Sequence, residues 1–320
     1  MFLQRTHLLW ALPSSGRGGS NLFRKLFALL AFPITIAVLW ALPRNAHAQI
    51  LYVSQQISIG PPFGDVGIVS EFNAKTGEVI DANFITGLRV PRGLAVSGNT
   101  LFVADRGRNT VGKYDARTGA AINPGLITGL SPVGLALSGN TLFVVNSFFN
   151  TIGEYDARTG AAINPGLITG LNGPTGIALL GNTLFVANFA DGGPSAGTVG
   201  KYDARNGGAI SPGFITGLNL PLGLAVLGRT LLFPDGILFV TNVGTATVGA
   251  YDATTGNAIN ANFIRGLNGP TGIALLGNTL FVADEFNNTI GAYDATTGAA
   301  INANFITGLS SPEFIAVKQP

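Results

Sequence analysis

From residue 50 onward the apolar positions fall in short runs, each closed by a turn signal. "GLAVSGNTLFVAD" (93–105) is two such runs about Gly98-Asn99, and the same order returns around Gly139-Asn140, Gly181-Asn182 and Gly277-Asn278. Runs of four to seven residues rich in Val, Ile, Leu and Phe, broken by Gly-Asn, predict strands joined by tight hairpin turns. "GLAV" or "GIAL" is a first strand and "TLFVA" a second, apolar enough to be buried on both faces. "TVGKYDA" is a third, ending in "DARTG", where Asp115 can accept from nearby backbone N–H groups and Gly119 can take a positive φ. "AAINPGLITGL" is a fourth. Its proline at 124, 165 and 212 cannot donate to a ladder, which places this strand at an outer edge.

The unit repeats. Aligned on an aromatic-Asx-Ala phrase, copies begin at Phe72, Tyr114, Tyr155, Tyr202, Tyr251 and Tyr293, at spacings of 42, 41, 47, 49 and 42 residues. A period near 40 with four strands per copy predicts propeller blades, each needing its neighbours to cover its faces. Five complete blades span 91–130, 132–171, 174–218, 221–267 and 270–309. The remainder is 50–88, with strands two to four, and 312–317, with a first strand. The expected fold is therefore all-β, a six-bladed β-propeller of four-stranded antiparallel blades. Its ring is closed by the C-terminal strand joining the N-terminal blade, which removes two open edges.

The phrases "P-x-G-L-A", "L-F-V-A-D" and "Y-D-A-x-T-G" resemble the NHL-repeat and gluconolactonase-like six-bladed propellers of exported bacterial type, over residues 50–317. The resemblance implies the architecture. It does not carry an activity, because propellers host many functions.

Composition changes the picture at the N-terminus. Arg5, Arg17, Arg24, Lys25 and Arg44 fall in the first 48 residues, which hold no Asp or Glu. Without them, the net charge of +2 becomes thirteen basic against sixteen acidic residues, or −3. Arg24-Lys25 precede the apolar run 26–42, and "AHA" (46–48) offers small residues before Gln49, the order of a cleavable secretory signal. The run is 17 residues long and holds Pro33, short for a stable membrane span. Residues 1–48 are read as a signal peptide and 49–320 as the propeller, exported to the periplasm or beyond, with no membrane span after cleavage. There is no cysteine, and both histidines, His7 and His47, lie in the signal.

That inventory excludes much chemistry. Without histidine or cysteine, the mature chain has no Ser-His-Asp triad, His-ligated zinc or thiolate nucleophile. The Gly-rich turns lack the helix that follows a phosphate loop. A mildly acidic chain with no basic stripe does not suit nucleic acid. The second strands end in Ser54, Asp105, Asn146, Asn188, Asn242 and Asp284, read as caps on their own turns and not as a calcium ring. The metal-dependent lactonases of the resembled family take Asn and Asp ligands from the position between Pro and Gly of each first strand. Here those residues are Arg92, Val133, Thr175, Leu222, Thr271 and Glu313, a set with one carboxylate. No metal, cofactor or catalytic residue is assigned.

What varies among the copies is the loop between second and third strands: "QQISIGPPFGD" (55–65), "RGRN" (106–109), "SFFN" (147–150), "FADGGPSAG" (189–197), "VGTA" (243–246) and "EFNN" (285–288). The two longest belong to opposite blades. Binding is placed on this face, with Phe63, Arg106, Arg108, Phe148, Phe149, Phe189, Asp191, Glu285 and Phe286 as candidates. Arg92 and Glu313 begin the first strands of adjacent blades and are expected to pair at the channel mouth. The resulting expectation is an exported, non-catalytic propeller presenting a surface to an unidentified protein, peptide or glycan. One alternative is a lactonase- or lyase-like enzyme using a carboxylate in the channel. Another is a structural surface or matrix protein, in keeping with the identical copies of "YDARTGAAINPGLITGL" at 114–130 and 155–171.

Overall fold

A computed structural model gives the fold and describes residues 49–58, 65–189, 196–228 and 236–318. The segment read as a signal lies outside them. The N-terminal blade contributes β1 (Ile50–Ser58), β2 (Asp65–Asn73) and β3 (Val79–Leu88). The second blade is β4 (Pro91–Ser97), β5 (Thr100–Asp105), β6 (Thr110–Asp115) and β7 (Ala121–Thr128). The third is β8 (Pro132–Ser138), β9 (Thr141–Asn146), β10 (Thr151–Asp156) and β11 (Ala162–Ile168). The fourth is β12 (Pro174–Leu180), β13 (Thr183–Asn188), β14 (Gly197–Asp203) and β15 (Ala209–Leu218). The fifth is β16 (Pro221–Leu227), β17 (Ile237–Asn242), β18 (Thr247–Asp252) and β19 (Ala258–Ile264). The sixth is β20 (Pro270–Leu276), β21 (Thr279–Asp284), β22 (Thr289–Asp294) and β23 (Ala300–Ile306), and the chain ends on β24 (Pro312–Lys318). Every sheet is four-stranded and antiparallel, and β24 completes the first one in the order β24-β1-β2-β3. The ring is thus a six-bladed propeller closed by its own C-terminal strand.

Closure has a readable register. Ile50 pairs with Lys318, Leu51 with Val317, Tyr52 with Ala316 and Val53 with Ile315, after which a bulge shifts Gln55 onto Pro312. Ser54 sits at that bulge; its Oγ accepts from the Phe314 N–H at 3.0 Å and donates to the Arg92 carbonyl at 2.8 Å. One hydroxyl therefore ties β24 to β1 and to the next blade. Thr271 and Thr175 make comparable ties, their Oγ1 donating to the Pro312 carbonyl at 2.9 Å and the Pro221 carbonyl at 3.2 Å.

The core lies between blades, because second strands such as "LFVA" are buried on both faces. Leu101, Val103, Leu142, Val144, Leu184 and Val186 are all fully buried. The "D-A-x-T-G" glycine belongs to this packing as well as to its turn. Gly119 has φ +72°, and a Cβ there would sit 1.9 Å from the Phe84 carbonyl oxygen of the preceding blade. A residue that turns the chain and also lets a neighbour's backbone approach has to be glycine.

Gly93, Gly134, Gly176, Gly223 and Gly272 lie within strands at the axis, where it is the close approach of the next blade's backbone alone that calls for glycine. A Cβ on Gly134 would meet the Thr175 carbonyl oxygen at 2.4 Å. The sixth position of this set is Phe314, whose buried ring joins the cluster of Val133, Val145 and Ile177 from the third and fourth blades. Five glycines clear the axis and one phenylalanine fills it. The remaining central cavity is about 90 Å³, lined by all six inner strands.

β7, β11 and β15, which carry Pro124, Pro165 and Pro212, are the outermost strands of their sheets. The first loop is shorter than the sequence implied, since Gln55 and Gln56 are in β1, which runs to Ser58, and β2 resumes at Asp65. Among the described residues, no helix is long and apolar enough to cross a membrane.

Candidate functional site at the channel mouth

Each four-residue loop between second and third strands is one tight turn closed by a left-handed residue. Asn109, Asn150, Ala246 and Asn288 have φ between 54° and 58°. Their N–H groups donate to the carbonyls of Arg106, Ser147, Val243 and Glu285 at 3.1 to 3.2 Å. Asn tolerates this conformation because its short amide can bond locally. Here that amide also holds the following crossing: Asn150 Oδ1 accepts from Gly173 N–H at 2.9 Å, and Asn288 Oδ1 from Ser311 N–H at 2.9 Å. With the backbone fixed this way, the loop side chains project from the face.

The projection is strongly aromatic. Phe148 is 78% exposed, Phe149 58% and Phe286 63%. Phe148 and Phe149 meet edge to face with centroids 5.2 Å apart, and Phe286 lies against Gly269. The Asx residues ending the second strands act differently from the expectation. Three of them cap the crossing that leads into their own blade, because the first strand begins directly opposite them, and Asp284 Oδ2 also accepts from Asn287 Nδ2 of its own turn at 2.8 Å. Asp105 accepts from Arg89 N–H (3.1 Å) and Val90 N–H (3.0 Å), Asn146 from Ser131 N–H (2.8 Å), and Asp284 from Asn268 N–H (2.7 Å).

Beside the axis lies an open cavity of about 530 Å³. Four of the six first-strand residues singled out by the sequence, Arg92, Val133, Thr175 and Leu222, line it, together with Arg106, Phe148 and Phe189 from the loops. Ser147, Asn150 and Asn172 complete its polar wall, residues that the sequence reading did not single out. Their signal was present, since Ser147 and Asn150 bracket the two phenylalanines.

At the edge of this cavity, Arg92 Nη1 donates to Glu313 Oε2 across the closure seam. The Glu313 side chain is 3% exposed and that of Arg92 22%. Burial outweighs the attraction of Arg92 and pushes the Glu313 carboxyl up to about 7, with Glu285 adding to the rise and Arg106 opposing it. Burial likewise raises Glu285, half-buried in its loop. Arg108 turns back to Asp105 at 3.4 Å and is not part of the cavity. Phe63 and Asp191 lie outside the described residues. Among those described, no group of three or more His, Cys, Asp or Glu side chains could hold a metal ion.

The fold and this face define a six-bladed propeller with a mixed aromatic and cationic cavity at one end of a plugged axis. Residues 65–304 match the family described as outer membrane protein assembly factor BamB, and the chain belongs to that family. The NHL-type resemblance is shared at the level of the six-bladed ring. No curated protein matches the chain. Among solved structures, the chain is similar to one from a nidogen/laminin complex, with TM-score 0.66 and 19% identity over 84% of this chain and 98% of that one. A computationally designed protein, Ika8, overlaps at TM-score 0.45 and 16% identity, over 80% of this chain and 75% of that one.

Proposed function

We propose that this chain is an exported, non-catalytic propeller that binds a protein or peptide through its variable-loop face. The observation that carries the reading is the trio of phenylalanines on that face, Phe148, Phe149 and Phe286, left in solvent by loops whose turns are closed by backbone hydrogen bonds. Exposed aromatics beside arginine form the composition of interface hot spots. Family membership with an assembly factor and the fold shared with a nidogen/laminin complex support a protein partner over a glycan. The lactonase- or lyase-like alternative needs an acid–base group in the cavity. The deeply buried carboxylate, Glu313, bonds Arg92 and does not line the cavity.

Two measurements test the reading. Mass spectrometry of the exported protein should find Gln49 as its first residue, and recovery of only full-length chain would overturn export. The purified mature chain should capture a partner from the exported fraction of its host, with capture lost in the double variant Phe148→Ser, Phe149→Ser and melting unchanged. Capture indifferent to every substitution on this face would end the proposal.

A further inference from the structure

We propose that the mouth cavity receives the carboxy-terminal end of a peptide chain, with Arg106 binding the terminal carboxylate and Phe148 and Phe189 enclosing an apolar last side chain. This deepens the protein-binding reading and rests on it.

Three observations lead there. First, among the described residues the cavity is charged with one sign, its wall holding two guanidiniums, of Arg92 and Arg106, and no carboxylate. Arg92 is engaged by Glu313, whereas Arg106 is exposed and has no ion pair among the described residues. A planar guanidinium beside a cavity matches a carboxylate in both charge and geometry. Second, the rest of the wall is mixed in the way a peptide end requires. Phe148 and Phe189 supply apolar area, and Asn172 supplies an amide facing the same space. At about 530 Å³ the cavity lies within the range of small-ligand sites. Third, the site is blind. One residue further along the first strands, the axis leaves only about 90 Å³ between four glycines and Phe314. A chain can enter but not pass, which suits a terminus better than a through-going segment.

The test uses the purified mature chain and two probes, N-acetyl-phenylalanyl-leucine with a free carboxylate and the same dipeptide amidated, titrated by NMR. The free acid should bind about tenfold more tightly, as a charge-assisted pair is stronger than a neutral one. Arg106→Gln should abolish the preference, Arg106→Lys should keep part of it, and Phe148→Ala should weaken both probes. Equal binding of acid and amide, a preference that survives Arg106→Gln, or no binding of the acid up to its solubility limit overturns the proposal. So does equal binding of an amidated dipeptide ending in aspartate, which would assign the cavity to internal acidic side chains. A partner still captured by Arg106→Gln but lost on removing Phe148 and Phe149 would leave the protein-binding reading standing while this one falls.

Discussion

Glu313 shows how one residue can carry a pH dependence for the whole ring. Its ordinary value is 4.5 and burial lifts it to about 7, against Arg92. Between those values the folded chain holds a proton that the unfolded chain has released. The stability from this group is therefore complete below about pH 4.5 and is lost as pH rises through 7, a loss of roughly 3 kcal/mol. The groups facing it, Arg92, Glu285 and Arg106, are all on the mouth. Urea titrations should show the difference in stability between wild type and Glu313→Gln changing from pH 5 to pH 8, while an unchanged difference would exclude the shift. In a double-mutant cycle at pH 8, Arg92→Ala and Glu313→Gln together should lose less than the sum of the singles. Ala246 offers a gain in place of a loss. It occupies with φ 54° the left-handed position that asparagine fills in three other loops, so Ala246→Gly should stabilise by about 1 kcal/mol in thermal melts.

At the scale of the element, the inner strands are the most exacting part of the chain. They approach so closely that Gly134→Ala would drive a Cβ onto the Thr175 carbonyl oxygen at 2.4 Å, with the Val145 side chain 3.0 Å away. Loss of about 3 kcal/mol or more is expected, measurable by chemical denaturation. Phe314→Ala removes the one ring that fills the axis and should cost about 3–5 kcal/mol. β24 matters beyond its own contacts, because it completes a sheet and supplies the Glu313 half of the seam pair. Deleting residues 312–320 leaves β1 as an open apolar edge, and aggregation on purification is the expected outcome. A soluble truncation with an unchanged melting temperature would show that the ring closes by other means.

Across the whole molecule the two faces divide the labour. One is built from near-identical turns whose glycines seat each blade on the last, as Gly119 does on Phe84. The other holds loops that differ in every blade and project Phe148, Phe149 and Phe286 into solvent. Partner capture should therefore be sensitive to the loops and indifferent to exposed changes on the turn face, such as Arg158→Ala. Loss of capture by the turn-face variant alone would place the interface on the wrong side of the ring.

Strand order, blade number, closure by β24 and the outer position of the proline strands were all legible in the chain. The reason is that short apolar runs, Gly-Asn turns and a repeat near 40 residues are local signals, and a repeated unit states them several times. The phrase "PEF" (312–314) also departed visibly from five copies of "P-x-G", yet its meaning was not local. Only the assembled ring shows that position six points a side chain across the axis to Val133 and Ile177, more than 130 residues earlier. The same holds for Asp105, Asn146 and Asp284, whose capping partners lie 15 or 16 residues upstream on the crossing into their own blade. The mouth cavity, too, was decided by tertiary structure, since its walls come from the first strands of four blades and the loops of three of them. A cavity is the space left when distant surfaces fail to meet, and no periodicity along the chain records it.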